Sequence, residues 1–173
     1  GFDRNTRSKI RKAEPDGVRF DVIEQLSPTL VDEFIAYYDA FAEGKGLEKL
    51  YQPIFRAAAE SGMMSFTRMV RADEVLVWHA QIAYGKRVTV THSASHFRDA
   101  GDPEARNIVG RANRVCHWEE MRAWKRKGFH GYDMGGWYAG GTDPSLLLVN
   151  RFKEEFGGVK VVEYNSLCRR SLK

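Results

Sequence analysis

The residues whose types could do chemistry gather in one stretch, from Arg111 to Gly158. Within it His117 lies on a helical pattern beside Trp118, Asp133 ends a short strand-like run just before Gly135-Gly136, and Lys153 follows Phe152 on a second helical pattern. An imidazole that titrates near neutrality and a carboxylate are the usual groups for taking a proton from a nucleophile. A lysine ammonium can donate hydrogen bonds to an oxygen that gains negative charge in a transition state. Lys153 comes four residues after Val149 and three before Phe156. That places it at the border of an apolar stripe, with its ammonium aimed along a sheet edge. The competing reading is a lysine snorkelling over Phe156 into water. Asp133 reads equally as a base or orienter of the nucleophile and as a cap on the backbone amides that follow it. His117 reads as a base or as a half-buried helix histidine.

Other residues are candidates for binding rather than chemistry. RVTVTHSASHF at 87–97 is polar on both faces toward its end, which suits a strand lining a site better than one in a core. Trp137 and Tyr138 in the glycine loop, with Trp78 and Tyr84, suggest aromatic walls. His92 and His96 fall on one face of their strand but about 13 Å apart, too far to share a metal, and no metal is expected. Cys116 and Cys168 lack a CxxC or a histidine at ligand spacing, which points to buried free thiols in a reducing cytoplasm.

These residues need elements to hold them. A solvated helix over 5–14 is followed by the stop Pro15-Asp16-Gly17 and a strand at 18–24. Ser27-Pro28 opens a helix closed by Gly44 and Gly46, and a second runs from about Glu48 to Ser61 with Leu50, Ile54 and Ala58 on one side. Three strands in meander follow at 64–71, 75–85 and 87–97. The longest helix is expected from Glu104 to Lys127, with Ile108, Ala112, Val115, Trp118, Met121 and Trp124 as its apolar face. A short strand ending in Asp133, a helix from Ser145 to Phe156 and a last strand over 159–170 complete the chain. Helix-then-strand units after residue 104 call for parallel pairing, so the sheet is mixed, mostly antiparallel, and covered by helices on both faces.

At 173 residues with 43% apolar and 29% charged residues, the chain has the size of one compact domain over 1–173. It has no apolar run long enough to span a membrane, and its opening GFDRNTRSKIRK lacks the apolar stretch of a signal peptide, so a cytoplasmic protein is expected. Net charge is +4 and clustered, with Arg4, Arg7, Lys9, Arg11 and Lys12 at the start and Arg122, Lys125, Arg126 and Lys127 at the end of the long helix. Such clusters suit a phosphate-bearing partner, although the second also fits cations favoured at a helix C-terminus.

The order of elements resembles the GNAT acyltransferase fold, an α/β three-layer arrangement. Several local patterns resemble the FemABX group within that superfamily: Arg11-Lys12-Ala13-Glu14 with Gly17-Val18, His117-Trp118-Glu119-Glu120-Met121, Tyr132-Asp133 with Gly135-Gly136, and Arg151-Phe152-Lys153 before Phe156-Gly157-Gly158. Members of that group carry two such domains, where this chain has the length of one. The resemblance implies an N-acyltransferase that takes an aminoacyl group from aminoacyl-tRNA and passes it to an amine of a small molecule or peptide, with Lys153 polarising the carbonyl. It implies no cofactor. Phe152, Trp137, Tyr138, Ser93 and Ser95 are then expected at the substrate, and Asn107, Gly110, Arg111, Arg114, Arg122, Lys125 and Arg126 at the donor. The alternative is an acyl-CoA-dependent enzyme of the same superfamily, with acyl-CoA as co-substrate. For it, Asn107-Ile108-Val109-Gly110-Arg111-Ala112 fits the spacing of the superfamily's pyrophosphate-binding pattern but departs at its first position. Those residues read equally as a phosphate cradle at a helix N-terminus and as helix packing around Gly110.

Overall fold

A computed structural model of the chain describes residues 1–96 and 101–164. They fall into two compact units, one of Arg4–Gly136 and one that joins Gly1–Asp3 to the segment beginning at Trp137. One compact domain over the whole chain was expected.

The larger unit opens with α1 (Arg4–Lys12), a 3-10 turn at Glu14–Asp16 and β1 (Arg19–Ile23). The break between α1 and β1 comes from Pro15, which cannot continue a helix, and from Gly17, whose φ of 69° suits glycine. Next come α2 (Pro28–Lys45), α3 (Gln52–Glu60), β2 (Met64–Arg71), β3 (Glu74–Tyr84), β4 (Arg87–Ser95), α4 (Pro103–Arg126) and β5 (Gly131–Asp133). Ser27 accepts from Leu30 N at the start of α2, and Asp102 accepts from Ala105 N at the start of α4.

The five strands pair in chain order. β1 to β4 are an antiparallel meander, and β5 joins β4 in parallel because the chain crosses over through α4 first. The sheet is therefore mixed and mostly antiparallel, as the residues predicted.

Each face of the sheet has its own core. Phe66, Trp78 and Ala80 pack with Val31, Phe34 and Ile35 of α2 and Phe55 of α3, where Phe34 stacks on Phe55 and Phe66. Each such side chain removed from water contributes about 1.5–3 kcal/mol. On the other face Met69 and Val77 meet Ile108, Val109, Ala112 and Cys116 of α4. Two helical layers around one sheet make the three-layer α/β arrangement expected.

Three details differ from expectation. Ile54 of α3 is exposed, because Phe55 is the residue α3 turns into the core. The buried stripe of α4 runs through Ile108, Val109, Ala112, Cys116, His117, Glu120, Ala123 and Trp124, while Val115, Trp118 and Met121 are half-buried. Hydrophobicity alone could not place that stripe, because the face it covers on the sheet is polar. Trp78, read as a possible site wall, is a core residue edge-on to Phe34 and Phe66.

In the smaller unit α5 (Pro144–Glu154) is capped by Asp143, which accepts from Ser145 N and Leu146 N. Residues 159–164 form no strand, contrary to expectation, and their side chains are exposed. The remainder of the predicted last strand, with Cys168, lies outside the described residues, as does Phe97.

Candidate active site

β4 and β5 make a fork. Their parallel ladder covers only Arg87 to Thr89 against Gly131 to Asp133, while β4 continues to Ser95. Opposite this fork β4 carries a bulge, since Ala80 pairs with His92 and Gln81 with Val90, leaving Thr91 as the extra residue. Its hydroxyl donates to Ala80 O at 3.1 Å. A bulge interrupts the ladder and turns backbone groups away from it, and such bulges concentrate beside active sites.

Asp133 holds the chain at the point where the strands part. One carboxylate oxygen accepts from Gly135 N at 2.8 Å and the other from Arg87 and Thr89. Gly135 has a φ of 77°, and a Cβ there would stand 3.0 Å from Val90 O. Glycine at 135 thus lets the loop pass directly over the backbone of β4. The geometry of Asp133 is that of the capping reading.

Behind the fork, between sheet and α4, lies a buried polar network. Thr67, His79 and Gln81 stand on the α4 face of β2 and β3 at buried positions. They meet Asn113, Cys116, His117, Glu120 and Trp124, which recur at helical spacing on α4. Glu120, fully buried, is the centre. Its Oε1 is 2.8 Å from His79 Nδ1 and accepts from the Thr67 hydroxyl and the Cys116 thiol; its Oε2 accepts from the Tyr132 hydroxyl. His117 Nδ1 is 2.6 Å from Tyr132 Oη and 3.4 Å from Glu120 Oε2. Gln81 donates to Thr67 and accepts from Trp124 Nε1 at 2.6 Å. Burial pushes the Glu120 carboxyl up, but His79 and His117 beside it outweigh this and hold it below the usual carboxylate range. Burial, then the Glu120 charge, push the Cys116 thiol and the Tyr132 phenol well up, so both keep their protons for donation.

The candidate residues fall at different places. His117 belongs to this buried network. Ser93 and Ser95 pair with His79 and Val77, which puts both on the α4 face of β4, half-buried near the fork. His92 and His96 point to the other face, against the rings of Tyr38 and Phe55 and of Tyr37 respectively.

Asn107, Gly110 and Arg111 lie inside α4, which begins at Pro103. The amides of a helix interior are spent on intrahelical bonds, so Gly110 is not at a phosphate-binding terminus. The first turn instead presents Asp102 and Glu104. Arg111 grips Asp16 through two bonds of 2.6 and 2.8 Å and reaches Glu104, which raises its already high pKa further. Arg114 donates to Gly110 O, Arg122 pairs with Glu119, and Lys125 and Arg126 are exposed at the helix end.

In the smaller unit buried Asn150 clips the glycine loop to α5. It donates to Tyr138 O at 2.8 Å and accepts from Tyr138 N at 3.1 Å. A cavity of about 430 Å³ there is lined by Trp137, Tyr138, Leu147, Asn150, Arg151 and Lys160, with Lys160 Nζ 3.8 Å above the Trp137 ring. Phe152 packs its ring on Phe156, and Lys153 beside it is half-buried on α5.

Sequence reasoning gave no site role to Thr67, His79, Gln81, Glu120 or Tyr132, although Glu120 and Tyr132 fall within the FemABX-like patterns. A signal was present: His79 is a polar residue flanked by apolar ones on a central strand, and Asn113, Cys116, Glu120 and Trp124 share one side of a helix.

A sequence model described as acetyltransferase (GNAT) domain matches residues 1–153. No curated protein sequence matches the chain. Among solved structures, FemX aligns over 90% of this chain and 54% of its own at a TM-score of 0.69 and 14% identity. The C-terminal domain of a protein described as a lysylphosphatidylglycerol synthetase, from Agrobacterium fabrum, aligns over 76% of this chain and 40% of its own, at 0.56 and 14%. An aminoglycoside acetyltransferase from an uncultured soil metagenomic sample, in complex with sisomicin, aligns over 90% and 99%, at 0.57 and 10%. At these identities the likeness is one of fold. The chain spans about half the length of FemX. Among the described residues no helix is long and apolar enough to cross a membrane.

Proposed function

Because the chain belongs to the acetyltransferase (GNAT) domain family, we propose that it is an N-acyltransferase that moves an aminoacyl group from aminoacyl-tRNA to an amine of a small molecule or peptide. The amine nitrogen attacks the ester carbonyl, an oxyanion forms and collapses, and the ribose oxygen leaves with a proton, giving an amide. In this reading Lys153 donates hydrogen bonds to the carbonyl oxygen, the role implied by the Arg151-Phe152-Lys153 pattern. Asp133 shapes the fork by holding Gly135 and Arg87.

The observation that carries the choice of donor is the start of α4. The one pattern that suits a coenzyme A pyrophosphate is enclosed in the helix, and the helix's first turn carries Asp102 and Glu104. Negative side chains there oppose a second anion. Exposed Arg4, Arg7, Arg11 and Lys12 offer a basic surface on α1 instead, which suits a polyanion. The likenesses to FemX and to the lysylphosphatidylglycerol synthetase lean the same way, since a lysyl group is an aminoacyl group. Acyl-CoA is the second reading. It is favoured by the aminoglycoside acetyltransferase, whose whole length is comparable with this chain's.

Binding titrations test the choice. Aminoacyl-tRNA is expected to bind, with an affinity that falls steeply as salt rises because phosphate contacts release counterions. Tight binding of acetyl-CoA with no binding of charged tRNA at low salt overturns it.

A further inference from the structure

The buried group around Glu120 brings three atoms of metal-ligand type close to one another. His79 Nε2 lies 3.2 Å from Asn113 Oδ1, which accepts from it in the tautomer that carries the ring proton on Nε2. In that tautomer the lone pair of Nδ1 faces a carboxylate oxygen, Glu120 Oε1, at 2.8 Å. Cys116 Sγ stands 3.5 Å from that same oxygen and 3.7 Å from Nδ1. Three electron-pair donors of different kinds thus converge on one point in a fully buried place.

We propose that His79 Nδ1, Cys116 Sγ and Glu120 Oε1 bind a zinc ion that ties α4 to the central strands. A triangle with edges of 2.8, 3.5 and 3.7 Å has a centre about 2 Å from each corner, so an ion lifted from the plane and shifted toward the Nδ1–Oε1 edge meets Zn–N and Zn–O bonds of about 2.0–2.1 Å and a longer Zn–S bond of about 2.3 Å. Mixed nitrogen, sulfur and carboxylate ligands suit zinc better than the hard cations, which prefer all-oxygen shells. The Thr67 hydroxyl, bonded to Glu120 Oε1 and near the thiol, is the oxygen at hand for a fourth position.

The surroundings have the form of a metal site's outer shell. Ligating histidines donate their other ring N–H to a carbonyl, as His79 does to Asn113, and ligating carboxylates are themselves hydrogen-bonded, as Glu120 is by Tyr132. On binding, Cys116 gives its thiol proton to solvent and binds as thiolate, and no electron is transferred. The three ligands are fully buried, so substrate has no access and the ion's role is structural.

The test uses the untagged full chain, folded with zinc or with cobalt and dialysed without chelator. About one zinc per chain by mass spectrometry, and a cobalt–thiolate charge-transfer band in the cobalt protein, are expected, with the thermal midpoint lowered by EDTA. Cys116→Ser is expected to lose the band. Should that variant fail to fold, the band is read in Cys168→Ser, which leaves Cys116 as the single cysteine of the sequence, and its absence there overturns the proposal. Sub-stoichiometric zinc with an EDTA-insensitive midpoint overturns the proposal and leaves His79 as a hydrogen-bond partner of Glu120. Zinc bound without a cobalt–sulfur band also overturns it, as surface histidines alone would produce that result.

Discussion

The carboxylate of Glu120 and the Nδ1 of His79 lie 2.8 Å apart where neither side chain is exposed at all. A helix residue and a strand residue separated by 41 positions are joined there, so the contact fixes how α4 lies on the sheet. Glu120→Ala is expected to cost about 3–5 kcal/mol, because it strips Thr67, Cys116 and Tyr132 of a shared acceptor and His79 of its close partner inside the fold. Urea unfolding with an unchanged m-value measures it. A loss below about 1 kcal/mol means that the partners find water or each other.

Gly135 at the fork and Gly62 between α3 and β2 make a matched pair. Both have positive φ, 77° and 72°, but only at Gly135 does a Cβ meet an atom, Val90 O at 3.0 Å. Gly62→Ala therefore carries the left-handed strain alone, about 1–2 kcal/mol. Gly135→Ala carries that strain and a displaced loop, and is expected to lose acyl transfer while Gly62→Ala keeps it. Equal activity in the two variants contradicts the placement of the site at the fork.

Much of this fold was legible because it is written in local chemistry. Pro15, Gly17, Ser27, Gly46 and the short turns at Ala72-Asp73 and Gly85-Lys86 mark element ends, and the alternation of β2 to β4 marks the meander. The central site was not legible for the opposite reason. Thr67, His79 and Glu120 are ordinary polar residues until the register of β2 on β3 and the rotation of α4 bring them together. Metal binding was weighed for His92 and His96, which share a strand, and set aside for Cys116 and Cys168, which have no histidine at ligand spacing; His79, Cys116 and Glu120 come from a strand and a helix. The last strand failed because alternating valines at 159–162 satisfy the strand pattern without supplying a partner.

His92 gives the chain an acid-sensitive contact. Packed against Tyr38 of α2 and Phe55 of α3, it has its pKa lowered from 6.5 by loss of water. The folded state then binds fewer protons than the unfolded one, so stability is full above about 6.5 and falls as pH drops below it toward the lowered value. Chemical unfolding at neutral pH and at about pH 5 is expected to show a larger loss for the wild type than for His92→Phe. Identical losses refute the assignment.

Lys153→Ala separates the two readings of that lysine. As the oxyanion donor its loss lowers kcat by about 10²- to 10³-fold with little change in donor affinity. As a snorkelling side chain it changes neither, and an unaltered kcat retires it from the mechanism.

The account rests most heavily on the donor. Purified protein given a panel of amines is offered, separately, charged tRNA labelled on its amino acid and acetyl-CoA. Amide product carrying the labelled amino acid, abolished by ribonuclease, is the predicted result. Acetylated product formed from acetyl-CoA without RNA, and none from charged tRNA, contradicts it.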